Sequence, residues 1–440
     1  TWTDYPSEYR RWFVRELFAA LNDDAQARRA KCAKLRAAYA DAGVSCDDDE
    51  LARQVVALQE RVNTGELNYN DAWPALYGPK TSAWPTAALW QRATMDEVFA
   101  QHTLNVDGAH RVVGLVVETR PETLDVDVLT ELRALGCTKV QIGVQTLDPA
   151  VMCANHRPST IEQIERAFAL LRAFGFKIHA HFMANLHGST PESDIIGYRR
   201  FVTEAPYQPD EIKLYPCALI GGTGLERLYN QGLWRPYTED ELLEVLVADT
   251  LATPPFIRIS RMIRDFSADD IVAGVKKTNF RQMVERELED RRGEVSEIRF
   301  REIGSAKVSA DELRMTDYRY ETAFTCEHFL QWVDGLGRIA GFLRLSLPES
   351  SMCDELRGLP QPLGQAMIRE VHVYGKATAI DHEGKSAQHI GLGRQLVEHA
   401  CELARDAGFA SINVISAVGT RSYYRKLGFA ENGLYQSREL

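Results

Sequence analysis

The feature that most constrains this chain is Gln388-His389-Ile390-Gly391-Leu392-Gly393-Arg394, followed at once by a helical pattern with Leu392, Leu396, Val397 and Ala400 on one face. A polar loop ends, two glycines stand one residue apart, and a helix begins. Glycines at a helix N-terminus let backbone N–H groups approach a ligand closely. The first-turn amides and the helix dipole then favour an anion. Taken alone, the stretch reads equally well as a tight turn, and its surroundings must decide.

Those surroundings are β-rich. Phe329–Asp334, a Gly335-Leu336-Gly337 turn and Ile339–Leu347 predict a hairpin. A long strand over Ala366–Tyr374, the Gly-loop helix, a strand over Ser411–Ser416 and a short helix bearing Tyr423 and Tyr424 complete the order. Upstream the pattern alternates. Strand-like runs at Arg111–Val117, Thr138–Val144, Phe176–Phe182, Glu211–Tyr215 and Phe256–Ile259 are separated by amphipathic helical patterns. Such alternation predicts parallel βα units with functional groups at the strand C-terminal ends. Glu118, Gln145, His181 and Lys213 are the candidates there.

The 440 residues, 45% of them hydrophobic, suffice for two cores. A charge-rich stretch after Glu285 marks the junction. The expected organisation is a barrel-type domain over 1–285, with a helical elaboration at 23–107, a linker over 286–310 and a second domain over 311–440. A net charge of −11 argues against indiscriminate coating of nucleic acid, but a local basic groove is compatible with it. Arg258, Arg261, Arg264, Lys276, Lys277 and Arg281 form such a stretch; a phosphate-contacting edge and a solvated surface both fit it. The eight cysteines show no metal-ligand spacing and read as reduced thiols. With no apolar run of membrane-spanning length and no signal-peptide pattern, a cytoplasmic location is expected.

Two halves of such different type are diagnostic together. The sequence resembles the family of Elongator catalytic subunits, in which a radical S-adenosylmethionine domain is fused to a GNAT acetyltransferase domain. The resemblance rests on Val117-Glu118-Thr119-Arg120-Pro121, Ile142-Gly143-Val144-Gln145-Thr146, Lys213-Leu214-Tyr215-Pro216, Arg369-Glu370-Val371-His372-Val373-Tyr374-Gly375, the Gln388–Gly393 loop and Gly419-Thr420-Arg421-Ser422-Tyr423-Tyr424-Arg425-Lys426. It implies an α/β chain: a partial TIM-like (βα) radical SAM barrel followed by a mixed α+β GNAT domain.

The resemblance further implies an enzyme that forms 5-carboxymethyluridine at the tRNA wobble position, uridine 34, from acetyl-CoA, with tRNA-dependent acetyl-CoA hydrolysis. A protein (histone) lysine acetyltransferase and a non-catalytic tRNA-binding scaffold are the alternatives. Acetyl-CoA would be held by Glu370, Val371, His372, Val373, Gln388, Gly391, Leu392, Gly393, Arg394 and Tyr423. Tyr423 or Tyr424 would protonate the leaving thiolate, with Tyr423 favoured and the other packing in the core. His372 would be a base or a structural histidine. Glu118, Gln145, His181 and Lys213 would contact S-adenosyl-L-methionine. The partners implied are a tRNA anticodon stem-loop and, in some organisms, Elongator-like accessory subunits. One departure matters: the cysteine triplet that carries a [4Fe–4S] cluster in the family is absent from this sequence. Thr1 stands where the family's Gly-Gly-Thr motif would end, so the expectation is a chain lacking the family's N-terminal tRNA-binding segment; a naturally cluster-free relative is the alternative. The stretch Met183–Gly188, where relatives often carry prolines, leaves the pocket shape open.

Overall fold

Two sheets, one parallel and one mixed, organise the molecule in a computed structural model. It describes residues 1–44, 49–67, 69–78, 83–262, 271–274, 277, 279–291, 294–304, 310–349, 364–374 and 391–440. Gln388, Arg264 and Lys276 lie outside the described residues.

The first helix, Ser7–Asn22, follows Pro6 and buries Val14, Phe18 and Ala19. Its partner, not evident from sequence, is the helix Met95–Asn105, which Thr94 and Glu97 start with a reciprocal capping box. Val14 and Phe18 share a small core with Val98, Val112, Leu135 and Val418. Between these two helices the chain makes the helical excursion Ala25–Asp41, Asp49–Asn63, Tyr69–Tyr77 and Trp84–Ala87. Ala25–Asp41 buries no residue.

The parallel sheet contains β1 (Val116–Thr119), β2 (Lys139–Gln145), β3 (Lys177–Ala184), β4 (Glu211–Pro216) and β6 (Arg258–Arg261), in the order β1-β2-β3-β4-β6. A two-stranded ribbon, β5 (Leu219–Ile220) with β7 (Ile271–Ala273), stands apart. The first strand is shorter than its sequence pattern suggests. Residues before Val116 are engaged elsewhere: the Val112 N–H donates to Asn105 Oδ1 at 2.8 Å, and its carbonyl accepts from the Gly419 N–H at 2.8 Å.

The mixed sheet has the order β13-β14-β12-β11-β10-β9-β8. Its strands are β8 (Arg314–Glu321), β9 (Thr325–Val333), β10 (Ile339–Pro348), β11 (Ala366–Val373), β12 (Ser411–Val414), β13 (Ala430–Asn432) and β14 (Tyr435–Glu439). The sequence pattern shows β9 to β12 but not β8, β13 or β14. β8 reads Arg-Met-Thr-Asp-Tyr-Arg-Tyr-Glu, too polar for a core strand, and β13 is exposed throughout. The Gly-loop helix, Leu392–Asp406, buries Leu392, Leu396, Val397, Ala400, Cys401 and Ala404 against this sheet.

The halves are packed into each other. One core holds barrel residues together with Tyr320, Phe329, Val333, Ile339, Phe342, Met367, Ile415 and Tyr435. Phe256 and Tyr320 stack at 3.7 Å between ring centroids. Glu297, Ile298 and Ile303 of the connecting segment are buried as well: the Ile298 N–H donates to the Ile257 carbonyl, and the Ile303 N–H to the Ile339 carbonyl. Beside this core runs a buried ionic network. Arg369 and Asp210, both wholly inaccessible, pair at 2.6 and 2.8 Å, and Arg369 also pairs with Glu327 at 2.8 Å.

Candidate active site

A bulge aims the residues of β11. Its partner β10 matches Ile368 with Leu345 and Glu370 with Arg344, leaving Arg369 as the extra residue. Arg369 turns into the interdomain network. After it, Glu370 and His372 face the barrel while Val371 and Val373 face the Gly-loop helix. Glu370 pairs with Lys177 of β3 at 2.6 Å and with Arg344 at 3.0 Å. The His372 ring stacks on Phe342 at 5.4 Å and meets Tyr374 edge-on at 4.5 Å. Burial pushes the His372 imidazole below its ordinary value, against the pull of Glu370.

On its other edge β11 parts from β12. The two pair only at Ala366, Met367 and Ile368. Beyond Ile368, β12 supplies no partner, and a groove of about 550 Å³ opens, walled by Val371, Val373, Gly391, Gly393, Arg394 and Tyr423. Gly391 caps the helix with φ +74°, a conformation side chains resist, and the space above it is open. A Cβ on Gly393 would lie 2.9 Å from Tyr423 Oη and 3.6 Å from Val373 Cγ2. The tyrosine hydroxyl thus reaches over the start of the helix, beside its first amides. Burial raises the Tyr423 phenol, keeping it protonated. Tyr424 packs instead against Tyr423 and Phe429 in the core, with its ring against the groove wall.

These features fit acetyl-CoA. An anion-favouring helix start, the stretch of β11 beyond its pairing with β12, and a protonated phenol lie in one groove. A second cavity of about 300 Å³ continues the first, sharing Val113, Val371, Thr420 and Tyr424 as walls. It is lined by Thr138, Lys139, Lys177, Glu370 and His372. Lys139 and Lys177 begin β2 and β3, so the groove meets the barrel at the N-terminal ends of its strands.

From there a polar face runs along the sheet. Lys139 and Lys177 pair with Glu211 at 2.6 and 3.3 Å. One step on, His181 Nε2 and Lys213 Nζ both meet Gln141 Oε1, at 3.2 and 2.8 Å, and His179 Nε2 meets Ser260 Oγ at 3.0 Å. His181 Nδ1 lies 3.8 Å from Glu118. Burial holds His179 down at about 2 and lowers Lys213. Gln145 (φ +72°) folds back over Gly143, the residue in register with His181, and its buried Oε1 has no partner. Glu118, Gln145, His181 and Lys213 are therefore brought together at one end of this face. Sequence reasoning passed over Lys139, Gln141, Lys177, His179 and Glu211, although the signal exists. Parallel strands are usually apolar on both faces, yet polar and apolar residues alternate over Lys139–Ile142 of β2, Lys177–Phe182 of β3 and Glu211–Leu214 of β4.

The orphaned Gln145 oxygen and the polar groups around it fit a polar ligand such as S-adenosylmethionine. A cluster is another matter. Among the described residues, no three His, Cys, Asp or Glu side chains are placed to hold a metal ion, so these residues do not fit a [4Fe–4S] centre. The basic stretch is divided. Arg258 pairs with Glu302 at 2.7 Å and Glu211 at 3.5 Å. Arg281 serves Glu285, Glu297 and the Ile259 carbonyl. Lys277 holds Glu239 at 2.6 Å on the surface, and Arg261 is exposed. No helix among the described residues is long and apolar enough to cross a membrane.

Comparison with known proteins agrees with this architecture. Residues 45–197 match the Radical SAM superfamily, 209–290 the Radical_SAM C-terminal domain, and 297–429 the acetyltransferase (GNAT) family. The chain is 35% identical to the tRNA uridine(34) acetyltransferase of Dehalococcoides mccartyi over 345 residues, 77% of this chain and 74% of that protein. It is 33% identical to the protein of the same name from Methanocaldococcus infernus, covering 64% of it. It is 32% identical to human Elongator complex protein 3, covering 61%. The chain thus spans three quarters of the bacterial relative and under two thirds of the archaeal and human ones. The structure of Methanocaldococcus infernus Elp3 with an N-terminal deletion superposes with a TM-score of 0.72 at 31% identity, covering 78% of this chain and 82% of that one. A radical SAM barrel and a GNAT domain joined through one core, matched over such lengths, place this chain in the tRNA uridine(34) acetyltransferase family, to which the Elongator complex protein 3 relatives also align.

Proposed function

We propose that this chain belongs to a tRNA-modifying enzyme that binds acetyl-CoA in the groove beside β11 and directs its acyl group toward the barrel, forming 5-carboxymethyluridine at the wobble position. The observation that carries this reading is the continuity of the two cavities. A groove built for acetyl-CoA leads past Glu370 and His372 to Lys139 and Lys177 of the barrel, instead of ending at a surface cleft for a peptide amine.

In this scheme the backbone amides of Leu392, Gly393 and Arg394 meet the pyrophosphate, and the edge of β11 at Val371 pairs with the pantetheine amides. Tyr423 stands ready to give its proton to the departing thiolate. His372, exposed on β11 and with its imidazole lowered from its ordinary value, can accept a proton from the water that hydrolyses the thioester. S-adenosylmethionine, contacted by Glu118, Gln145, His181 and Lys213, would bring the radical chemistry that activates the acetyl methyl carbon. The tRNA anticodon stem-loop is the acceptor.

Acetyl-CoA hydrolysis, measured with and without tRNA in the wild type and in Tyr423→Phe, tests this reading. Turnover should require tRNA and fall at least about 100-fold in Tyr423→Phe, the low end of a lost general acid, with acetyl-CoA affinity kept within a few-fold. Turnover indifferent to tRNA refutes the proposal in favour of a lysine acetyltransferase. Binding without consumption would leave only a scaffold.

A further inference from the structure

The outer edge of the mixed sheet carries a cluster that the groove does not use. β8 ends the sheet and pairs antiparallel with β9, placing Arg319 opposite His328 and Glu321 opposite Cys326. Residues two apart share a face, so these side chains meet. His328 Nδ1 lies 2.7 Å from Asp317 Oδ2. The other ring nitrogen, Nε2, lies 3.7 Å from Cys326 Sγ. Arg319 Nε donates to the same sulfur at 3.0 Å, and another Arg319 nitrogen holds Glu321 at 3.0 Å. On the opposite side the neighbour in register is the apolar Leu347 of β10. Cys326 is partly exposed.

We propose that Cys326 is a reactive thiol, activated by His328 and Asp317, that forms a mixed disulfide with low-molecular-weight disulfides. Asp317 accepts the Nδ1 proton of His328 and so leaves the Nε2 lone pair directed at the sulfur. Burial and the Glu321 carboxylate raise the thiol, so at rest the proton stays on sulfur. During attack it passes to His328 Nε2 while the Arg319 N–H steadies the developing thiolate. A bond forms between Sγ and one sulfur of the disulfide, the original S–S bond breaks, and the leaving thiolate takes the proton from His328. A thiol and a disulfide yield a mixed disulfide and a thiol, with no external oxidant.

The test uses the full chain, oxidised glutathione and peptide mass spectrometry. Cys32 and Cys153, both exposed, serve as internal references. Cys326 should react at least about tenfold faster than either at neutral pH, a small share of what a positioned base supplies. His328→Ala and the near-isosteric Asp317→Asn should each lower the rate about tenfold, with thermal melts confirming the fold of both. Cys326→Ser should remove the adduct and leave tRNA-dependent acetyl-CoA turnover unchanged, which keeps this inference separate from the proposed function. Rates equal to those of Cys32 and Cys153, or indifference to both variants, would overturn it.

Discussion

Replacing Arg369 by methionine removes the centre of the interdomain network while keeping most of its volume. The loss strands Asp210 and Glu327, which are 0% and 1% exposed at their side chains. Asp210 keeps the Ile178 N–H at 2.8 Å and Arg344 at 3.4 Å, while Glu327 keeps Thr325 at 2.6 Å and Arg172 at 3.6 Å. Breaking a buried pair from one side costs about 3–5 kcal/mol, because the remaining charge is buried without its partner. Unfolding entropy of about 2.1 cal/mol/K per residue amounts to about 0.9 kcal/mol/K over the 440 residues. The melting temperature should therefore drop by roughly 3–5 °C if the chain melts as one unit. The pH dependence adds a second check. Burial opposes ionisation of Asp210, but Arg369 and then Arg344 outweigh it and hold the carboxyl well below its usual range. A depressed folded-state pKa contributes stability that is present above the unfolded value, about 3.9, and lost as pH falls through the folded one. The deficit of Arg369→Met should thus be full at neutral pH and narrow below about pH 4. The double variant Arg369→Met/Asp210→Asn should melt above the single one, since one stranded charge is gone. Scanning calorimetry at neutral and acid pH reads all of this. A melting temperature unchanged from wild type at neutral pH would refute the reasoning.

Gly393→Ala separates stability from binding. Alanine favours a helix over glycine by up to about 1 kcal/mol, yet its Cβ sits 2.9 Å from Tyr423 Oη and occupies the cradle. The melting temperature should hold or rise while acetyl-CoA affinity, read by calorimetric titration, falls at least about tenfold, or 1.4 kcal/mol. Gly419→Ala should behave in the opposite way. Its Cβ would meet Arg111 Cβ at 2.5 Å and the Val112 carbonyl at 2.8 Å, and backbone cannot step aside as a tyrosine can. A melting temperature several degrees lower is expected, with thermal unfolding followed by circular dichroism as the measure.

Much of the site was legible in the sequence because its chemistry needs particular residues at fixed offsets. Gly391 and Gly393 announced a helix start open to an anion, and Glu118, His181 and Lys213 marked strand ends that do converge. Other parts were hidden for physical reasons. The strand β8 is half of an edge ladder and has too little burial to show a period. Arg258 and Arg281 read as surface cations, since nothing local reveals that Glu302, Glu297 and Glu211 wait for them. Arg369 sits in a motif that reads as a ligand strand, but a one-residue bulge sends it away from the groove and into the core.

By itself, the sequence determined the two domain types, the glycine loop and the tyrosine that reaches it, because turn geometry, hydrophobic period and motif spacing are properties of short stretches. Tertiary structure alone decided how the halves meet. The groove opens on the N-terminal ends of the barrel strands, where Lys177 pairs with Glu370 across 193 positions of sequence. Such a pairing depends on where the Arg369 bulge and the Gly419–Val112 contact fix one sheet against the other, and no local pattern encodes that placement.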